Sequence, residues 1–274
     1  MPETITNSQM AAFIISALTT TIIPLLLIII FSIRKKLSIT PLFVGAFAFF
    51  VSQMVLRIPI LSILEPFSWF QSFMNNVILS AILIGGLSAG IFEESARYLG
   101  ARFILKNKRT YKDAISFGLG HGLCEVILLN GVANMNNTIY SILLNSGNLQ
   151  SMLAEYPEGT YEQIVSSLTN TSPLIMYISV LERIPAVIFH IFAAILIYKA
   201  VNEKRIILYI ASIIAHTFVN SSVVLLSNYT NVYIGEAAFL IIGAACLFYI
   251  IRSKKNWPVI ENVQPEPQYG FIQK

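Results

Sequence analysis

The sequence predicts an all-α fold, a polytopic bundle of about seven transmembrane helices, and three observations carry the prediction. The 274 residues are 55% hydrophobic and only 12% charged, with a mean hydropathy of +0.70, a composition that a soluble core cannot use. Apolar runs of membrane-spanning length, roughly 20 residues, recur along nearly the whole chain. Lys and Arg gather in short clusters between these runs, as topology signals do at cytosolic helix ends. That placement explains the net charge of +4 and the pI near 9.0 without a nucleic-acid partner. No stretch remains for a separate soluble domain, so residues 1–274 read as one integral-membrane domain embedded in a lipid bilayer.

The first span covers about 10–33 and stops at Arg34-Lys35-Lys36. No Lys or Arg precedes it and no small-residue cleavage site follows, so a retained helix is expected and not a signal peptide. The second covers about 41–64, with Arg57 and Pro59 toward its far end; the third, about 76–103, ends in Arg102, Lys106, Lys108 and Arg109. The fourth, about 114–132, carries Gly118, Gly120 and Gly122, which invite close helix approach. Residues 133–172 are polar, rich in Asn and Ser and free of Lys and Arg, and read as one long extracytoplasmic loop. The fifth span, about 173–198, contains Glu182-Arg183-Ile184-Pro185 and His190, and Pro185 should kink it. The sixth covers about 206–226 and the seventh about 231–251, which stops at Arg252, Lys254 and Lys255. The Pro- and Gln-containing tail within 252–274 is expected to be disordered. With every basic cluster on alternate connections, the N-terminus should lie outside and the C-terminus in the cytosol, in what the composition suggests is a bacterial plasma membrane. Cys124 and Cys246 fall within spans and read as packing residues.

Of the 18 Lys and Arg residues, only Arg57, Arg97 and Arg183 fall away from a cytosolic end, so each needs a partner within the membrane. Arg97 sits in Gly90-Ile91-Phe92-Glu93-Glu94-Ser95-Ala96-Arg97, where a charged side chain costs at least about 2.5 kcal/mol near the bilayer centre. On a helix Glu93 and Arg97 stand four apart and Glu94 and Arg97 three apart, so one carboxylate can be neutralised locally. The other is left over and is a candidate general base. A structural ion-pair cluster is the competing explanation, but two carboxylates per arginine leave charge uncompensated. Arg57 and Glu236 lie toward the same outer side and are candidate partners. Glu182 and Arg183, neighbours in sequence, should point different ways and each pair with another span.

His121, His190 and His216 are the only histidines, and all three fall inside spans. Like Glu93 and Glu94, they lie roughly 14–18 Å from the cytosolic boundary at a rise of about 1.5 Å per residue, and so could meet in one layer. His121 and Glu125, and His216 and Asn220, stand four apart and share helix faces. A carboxylate and an imidazole can together deprotonate a water, and a second imidazole with an amide can donate to a developing oxyanion. Those are the parts that peptide hydrolysis needs.

At these residues the chain resembles the glutamic-type intramembrane proteases, a group comprising the CAAX-protease and bacteriocin-processing family, the PrsW family and the YhfC-like membrane peptidases. Their pattern is a Glu pair followed by a basic residue, then Phe-x-x-x-His, then His-x-x-x-Asn. Here it stands as Glu93-Glu94-Ser95-Ala96-Arg97, Phe117 to His121, and His216 to Asn220, in that order on three helices. Gly120-His121-Gly122 with Glu125, together with Glu182-Arg183 and His190, is most similar to the YhfC-like branch. The resemblance covers spans three to six, about half of the chain. It implies that Glu93 or Glu94 and His121 activate water while His216 and Asn220 bind the oxyanion, with Arg97, Glu125, His190, Glu182 and Arg183 in support and no required cofactor. CAAX proteases place three residues between the second Glu and the Arg and this chain places two, so either Glu fits as the base, with Glu93 preferred. A zinc enzyme using His121, His190, His216 and Glu93 is the alternative, although no single helix carries His-Glu-x-x-His. A non-catalytic chaperone or regulatory subunit of the same fold and a proton-coupled transporter are the readings from other classes. The implied partner is a membrane-embedded peptide or lipoprotein substrate, and no motif selects among such substrates.

Overall fold

The computed structural model describes residues 4–258, and the disorder expected of the tail lies mostly outside them, on 259–274. Among the described residues there are no strands, and seven helices are long and apolar enough to cross a membrane. They are α1 (Asn7–Ile33), α2 (Ile39–Leu64), α3 (Val77–Ile104), α4 (Tyr111–Asn145), α5 (Pro173–Asn202), α6 (Ile206–Tyr229) and α7 (Val232–Ser253). The chain is therefore a multi-pass membrane protein. Its helix starts are written locally: Thr6 with Gln9, and Thr110 with Asp113, form capping boxes at α1 and α4, and Asn76 caps α3.

Two expectations need correction. The region read as a long loop is largely helical, because α4 continues through Asn145 and is followed by short helices at Leu149–Met152 and Thr160–Asn170. No Gly from 132 to 146 and no Pro from 132 to 156 interrupts it. Its apolar residues Leu144, Leu149, Leu153, Val165 and Leu168 bury against Ile5, Ala12 and Phe13 of the N-terminal stretch, forming a small capping core at the helix ends that carry no basic clusters. Second, Glu182 and Arg183 do not point apart. The α-helical geometry breaks at Glu182, ahead of Pro185, so the two side chains pair with each other at 2.6 Å.

Six helices close a ring in the order α3, α2, α4, α5, α7, α6 and back to α3, while α1 packs outside against α4 and α5. Glycine makes the tightest of these contacts possible. A Cβ on Gly120 would stand 2.0 Å from the Leu42 carbonyl oxygen, and one on Gly118 would stand 2.5 Å from the Ile191 Cα, so α4 meets both neighbours backbone to backbone. The half of the ring near the basic clusters is dry: Ala101, Ala114, Phe117, Ala194, Ile195, Ile197 and Tyr198 form a close-packed apolar core.

The other half is built differently. Phe50–Arg57 of α2, Ser80–Ser88 of α3 and Val126–Gly131 of α4 are π-helical, longer stretches than the one at the basic end of α3, Gly100–Ile104. Wider turns free backbone carbonyls, and in a membrane these must be satisfied from within the protein. Side chains do so in α3. Ser221 Oγ donates to Ala81 O at 3.1 Å, Arg57 donates to Ile84 O at 2.7 Å, and Asn220 Nδ2 donates to Gly85 O at 3.1 Å. The carbonyls of α3 thus draw polar side chains of α2 and α6 into the ring.

Candidate functional site

The floor of this polar half is one connected cluster. Arg97, fully buried on α3, donates to Glu93 Oε2 at 3.1 Å and to Glu94 Oε1, and its second terminal nitrogen donates to His190 Nδ1 at 2.7 Å. The i, i+3 and i, i+4 spacing on one helix therefore binds both carboxylates to a single guanidinium. From α4, His121 Nε2 lies 2.9 Å from Glu93 Oε2; from α6, His216 Nδ1 lies 2.8 Å from Glu94 Oε1. His190 Nε2 on α5 lies 2.8 Å from Glu125 Oε2 of α4. The imidazole centroids of His121 and His190 are 5.1 Å apart and those of His190 and His216 are 6.1 Å apart, so the three histidines do meet in one layer.

The two glutamates have different surroundings. Glu94 is fully buried and saturated by Arg97, His216 and Ser212, whose hydroxyl donates to Oε2 at 2.6 Å. Glu93 borders a cavity of about 280 Å³, and its Oε1 accepts from Gln53 Nε2 at 2.9 Å and stands 3.8 Å from His216 Nε2. Glu125, His190, His216 and Asn220 also line that cavity, whereas His121 lies behind its wall.

Several pairings differ from those the spacing suggested. His121 and Glu125 share a face but bond other helices, to Glu93 and His190 respectively. His216 turns to Glu94, and Asn220 reaches the Gly85 carbonyl, bordering the cavity without touching the imidazole cluster. Arg57 does not pair with Glu236. Its guanidinium binds Ser88, the Ile84 carbonyl and the Gln53 amide, because the π-helical turns of α2 and α3 hold those acceptors beside it. Arg183, paired with Glu182, also donates to Asn130 at 3.2 Å. Gln53 and Ser212 were missed. Each had a signal, since Gln53 lies four residues before Arg57 in an apolar run and Ser212 four before His216.

The donor set suits a divalent cation. One ligand atom from each of Glu93, His121, Glu125 and His190 lies within 4.8 Å of the others, and carboxylate oxygen and imidazole nitrogen are ordinary zinc ligands. His216, expected among the ligands, stands outside this group because Glu94 holds its Nδ1. Charge also asks for a cation. Of the carboxylates of Glu93, Glu94 and Glu125, the first two share the Arg97 guanidinium and the third bonds His190, since Arg57 bonds Gln53 instead.

Comparison with known proteins points the same way. The family model described as YhfC intramembrane metalloprotease matches residues 19–240. The membrane protein YhfC of Bacillus subtilis (strain 168), whose description is uncharacterized membrane protein, is 30% identical over 244 residues, covering 85% of this chain and 92% of that protein. No solved structure matches.

Proposed function

Since the chain belongs to the YhfC intramembrane metalloprotease family, we propose that it is a zinc-dependent endopeptidase acting on a membrane-embedded or lipidated peptide. The observation that carries this reading is the four-donor group of Glu93, His121, Glu125 and His190 at the floor of a polar cavity. Three protein ligands suffice at a catalytic zinc, and His121, His190 and Glu125 would take that role, His190 exchanging its bond from Arg97 for the ion because a neutral imidazole has one lone pair. Glu125 has no arginine bonded to it, so its charge is the one most available to an ion. An ion held there would supply Lewis-acid chemistry, lowering the pKa of a water and polarising the scissile carbonyl.

The rest of the chemistry belongs to side chains. Glu93, whose charge Arg97 already meets and which borders the cavity, takes a proton from the attacking water and passes it to the leaving amine nitrogen. Glu94, itself held by Ser212 and Arg97, fixes His216 through its Nδ1, and in the doubly protonated imidazolium Nε2 donates to the oxyanion. Asn220 lines the cavity as the second donor. A metal-free glutamic mechanism, in which Glu93 and His121 alone activate water, is favoured by one observation, their direct contact at 2.9 Å.

Elemental analysis of the purified protein and cleavage of labelled membrane peptides in liposomes test the proposal together. Stoichiometric zinc is expected in the wild type and in Glu93→Gln, and loss of zinc in His121→Ala, His190→Ala and Glu125→Gln, with cleavage lost in all four variants. Cleavage that survives chelation in a metal-free wild type, yet disappears in Glu93→Gln and His121→Ala, would replace zinc with the glutamic mechanism.

A further inference from the structure

The cavity is not centred in the helix ring, and its offset carries an inference about access. Every helix of the ring contributes to its wall, and the contributing residues lie from mid-helix toward the ends without basic clusters: Arg57 on α2, Gly85 on α3, Leu129 on α4, Glu182 on α5, Val223 on α6 and Phe239 on α7. In the opposite direction the floor residues Glu93, His190 and His216 are backed by the apolar plug around Phe117 and Tyr198, both fully buried. The plug is closed by backbone contact between α2 and α4 at Gly45 and Gly120, where not even a methyl group fits. Polar side chains occur at each level of the open half, among apolar ones such as Val223 and Phe239: Arg57, Gln53, Asn220, Glu182 and Arg183 precede Glu125 and Glu93. Polar groups at every level can hold water, whereas the plug offers the single buried Tyr198 hydroxyl among close-packed apolar side chains, fewer than the two to four polar partners that an internal water needs.

We propose that water and substrate reach the Glu93 site only from the membrane face opposite the Arg34-Lys36, Arg102-Arg109, Lys199-Arg205 and Arg252-Lys255 clusters. On the reading of the site as a protease, its substrates are then segments presented from that face, cut in the half of the bilayer remote from the basic helix ends. Access itself does not depend on that reading.

Thiol accessibility tests the route without any substrate. Single cysteines are placed at Gly85 and Val223 in full-length protein with Cys124 and Cys246 replaced by Ser. A Cβ at Gly85 meets only the Ser80 carbonyl oxygen, at 3.7 Å, so Gly85→Cys introduces no clash. Glu203→Cys reports the basic end and Glu158→Cys the capping end. Right-side-out and inverted vesicles are treated with a charged, membrane-impermeant methanethiosulfonate. Gly85→Cys and Val223→Cys should be modified from the same side as Glu158→Cys, with no modification from the side that labels Glu203→Cys. Labelling from the Glu203 side, or none from either side, would overturn the proposal. Should the background without native cysteines fail to accumulate, the same probes are read as increments over the native thiols, neither of which lines the cavity. If labelling is as expected while peptide cleavage fails, the route stands and the protease reading falls.

Discussion

Replacing Arg97 by Met should be the most damaging single change at the site, and its cost can be worked from its contacts. The fully buried guanidinium serves Glu93, Glu94 and His190 at once. Removing one partner of a buried ion pair costs about 3–5 kcal/mol, because the remaining charge is stranded, and here two carboxylates are stranded together. Against a total stability of about 5–15 kcal/mol, that loss leaves little reserve. Arg97→Lys keeps the charge but presents a compact ammonium in place of a planar fork, and should lose at least one charged hydrogen bond, about 1.5–3 kcal/mol. Reversible unfolding by SDS in mixed micelles, followed by far-UV circular dichroism, should order the proteins as wild type, then Arg97→Lys, then Arg97→Met. A divalent cation offers the stranded carboxylates another partner, so zinc should recover part of the loss, by about 2.7 kcal/mol at a hundred times its dissociation constant. Equal unfolding midpoints for wild type and Arg97→Met would refute the view that one arginine neutralises the cluster.

Two further outcomes follow from packing and from ligand chemistry. Gly120→Leu must push α2 from α4 by displacing the Leu42 backbone, at a cost of about 1–3 kcal/mol or more in the same unfolding assay, whereas Gly147→Ser, in open space but at a φ of +74° that costs a side chain about 1–2 kcal/mol locally, should leave the zinc content unchanged. Because imidazole ligands must be deprotonated to bind, zinc content measured after equilibration at falling pH should drop in wild type, and His216→Gln should show the same profile if His216 is not a ligand.

The membrane fold was legible because it rests on what hydropathy and charge clusters record directly: seven apolar runs, alternating basic ends, and glycines where helices touch. The level of the site was legible too, since rise per residue turns the positions of Glu93, His121, His190 and His216 into a shared depth. Their partners were not. Spacing within one helix correctly set Arg97 beside the glutamates, a local fact, but it left one carboxylate over where the guanidinium bonds both, and it paired His121 with Glu125 and His216 with Asn220, whose true contacts run between helices. Which face of one helix meets which face of another depends on the ring order, and no local period encodes that. The capping region was misread for the opposite reason. Its Asn and Ser suggested a loop, but burial of a few apolar residues against α1 outweighs weak helix propensity.

The π-helical segments explain why the polar half of the ring was the least legible and also why it can hold a site. A π-helical turn leaves hydropathy unchanged, so nothing in the apolar run from Phe50 to Leu56 or from Ser80 to Ser88 announces one. Its effect is on direction. Each such turn rotates the residues beyond it relative to a regular helix and exposes carbonyls that need donors. In α3 those carbonyls are met by Arg57, Asn220 and Ser221 from two flanking helices, which fixes Arg57 where it can donate to Gln53 Oε1 at 3.0 Å. With its oxygen taken by Arg57, the Gln53 amide must turn its nitrogen to Glu93, and so it holds one oxygen of the carboxylate that borders the cavity. The irregular backbone thus orients the proposed base through two side chains. The glycine-packed half of the same ring also has a short π-helical stretch, Gly100–Ile104, but there Arg109 reaches in from the helix end to meet the Ala101 and Arg102 carbonyls, and the half closes into an apolar plug beneath the site.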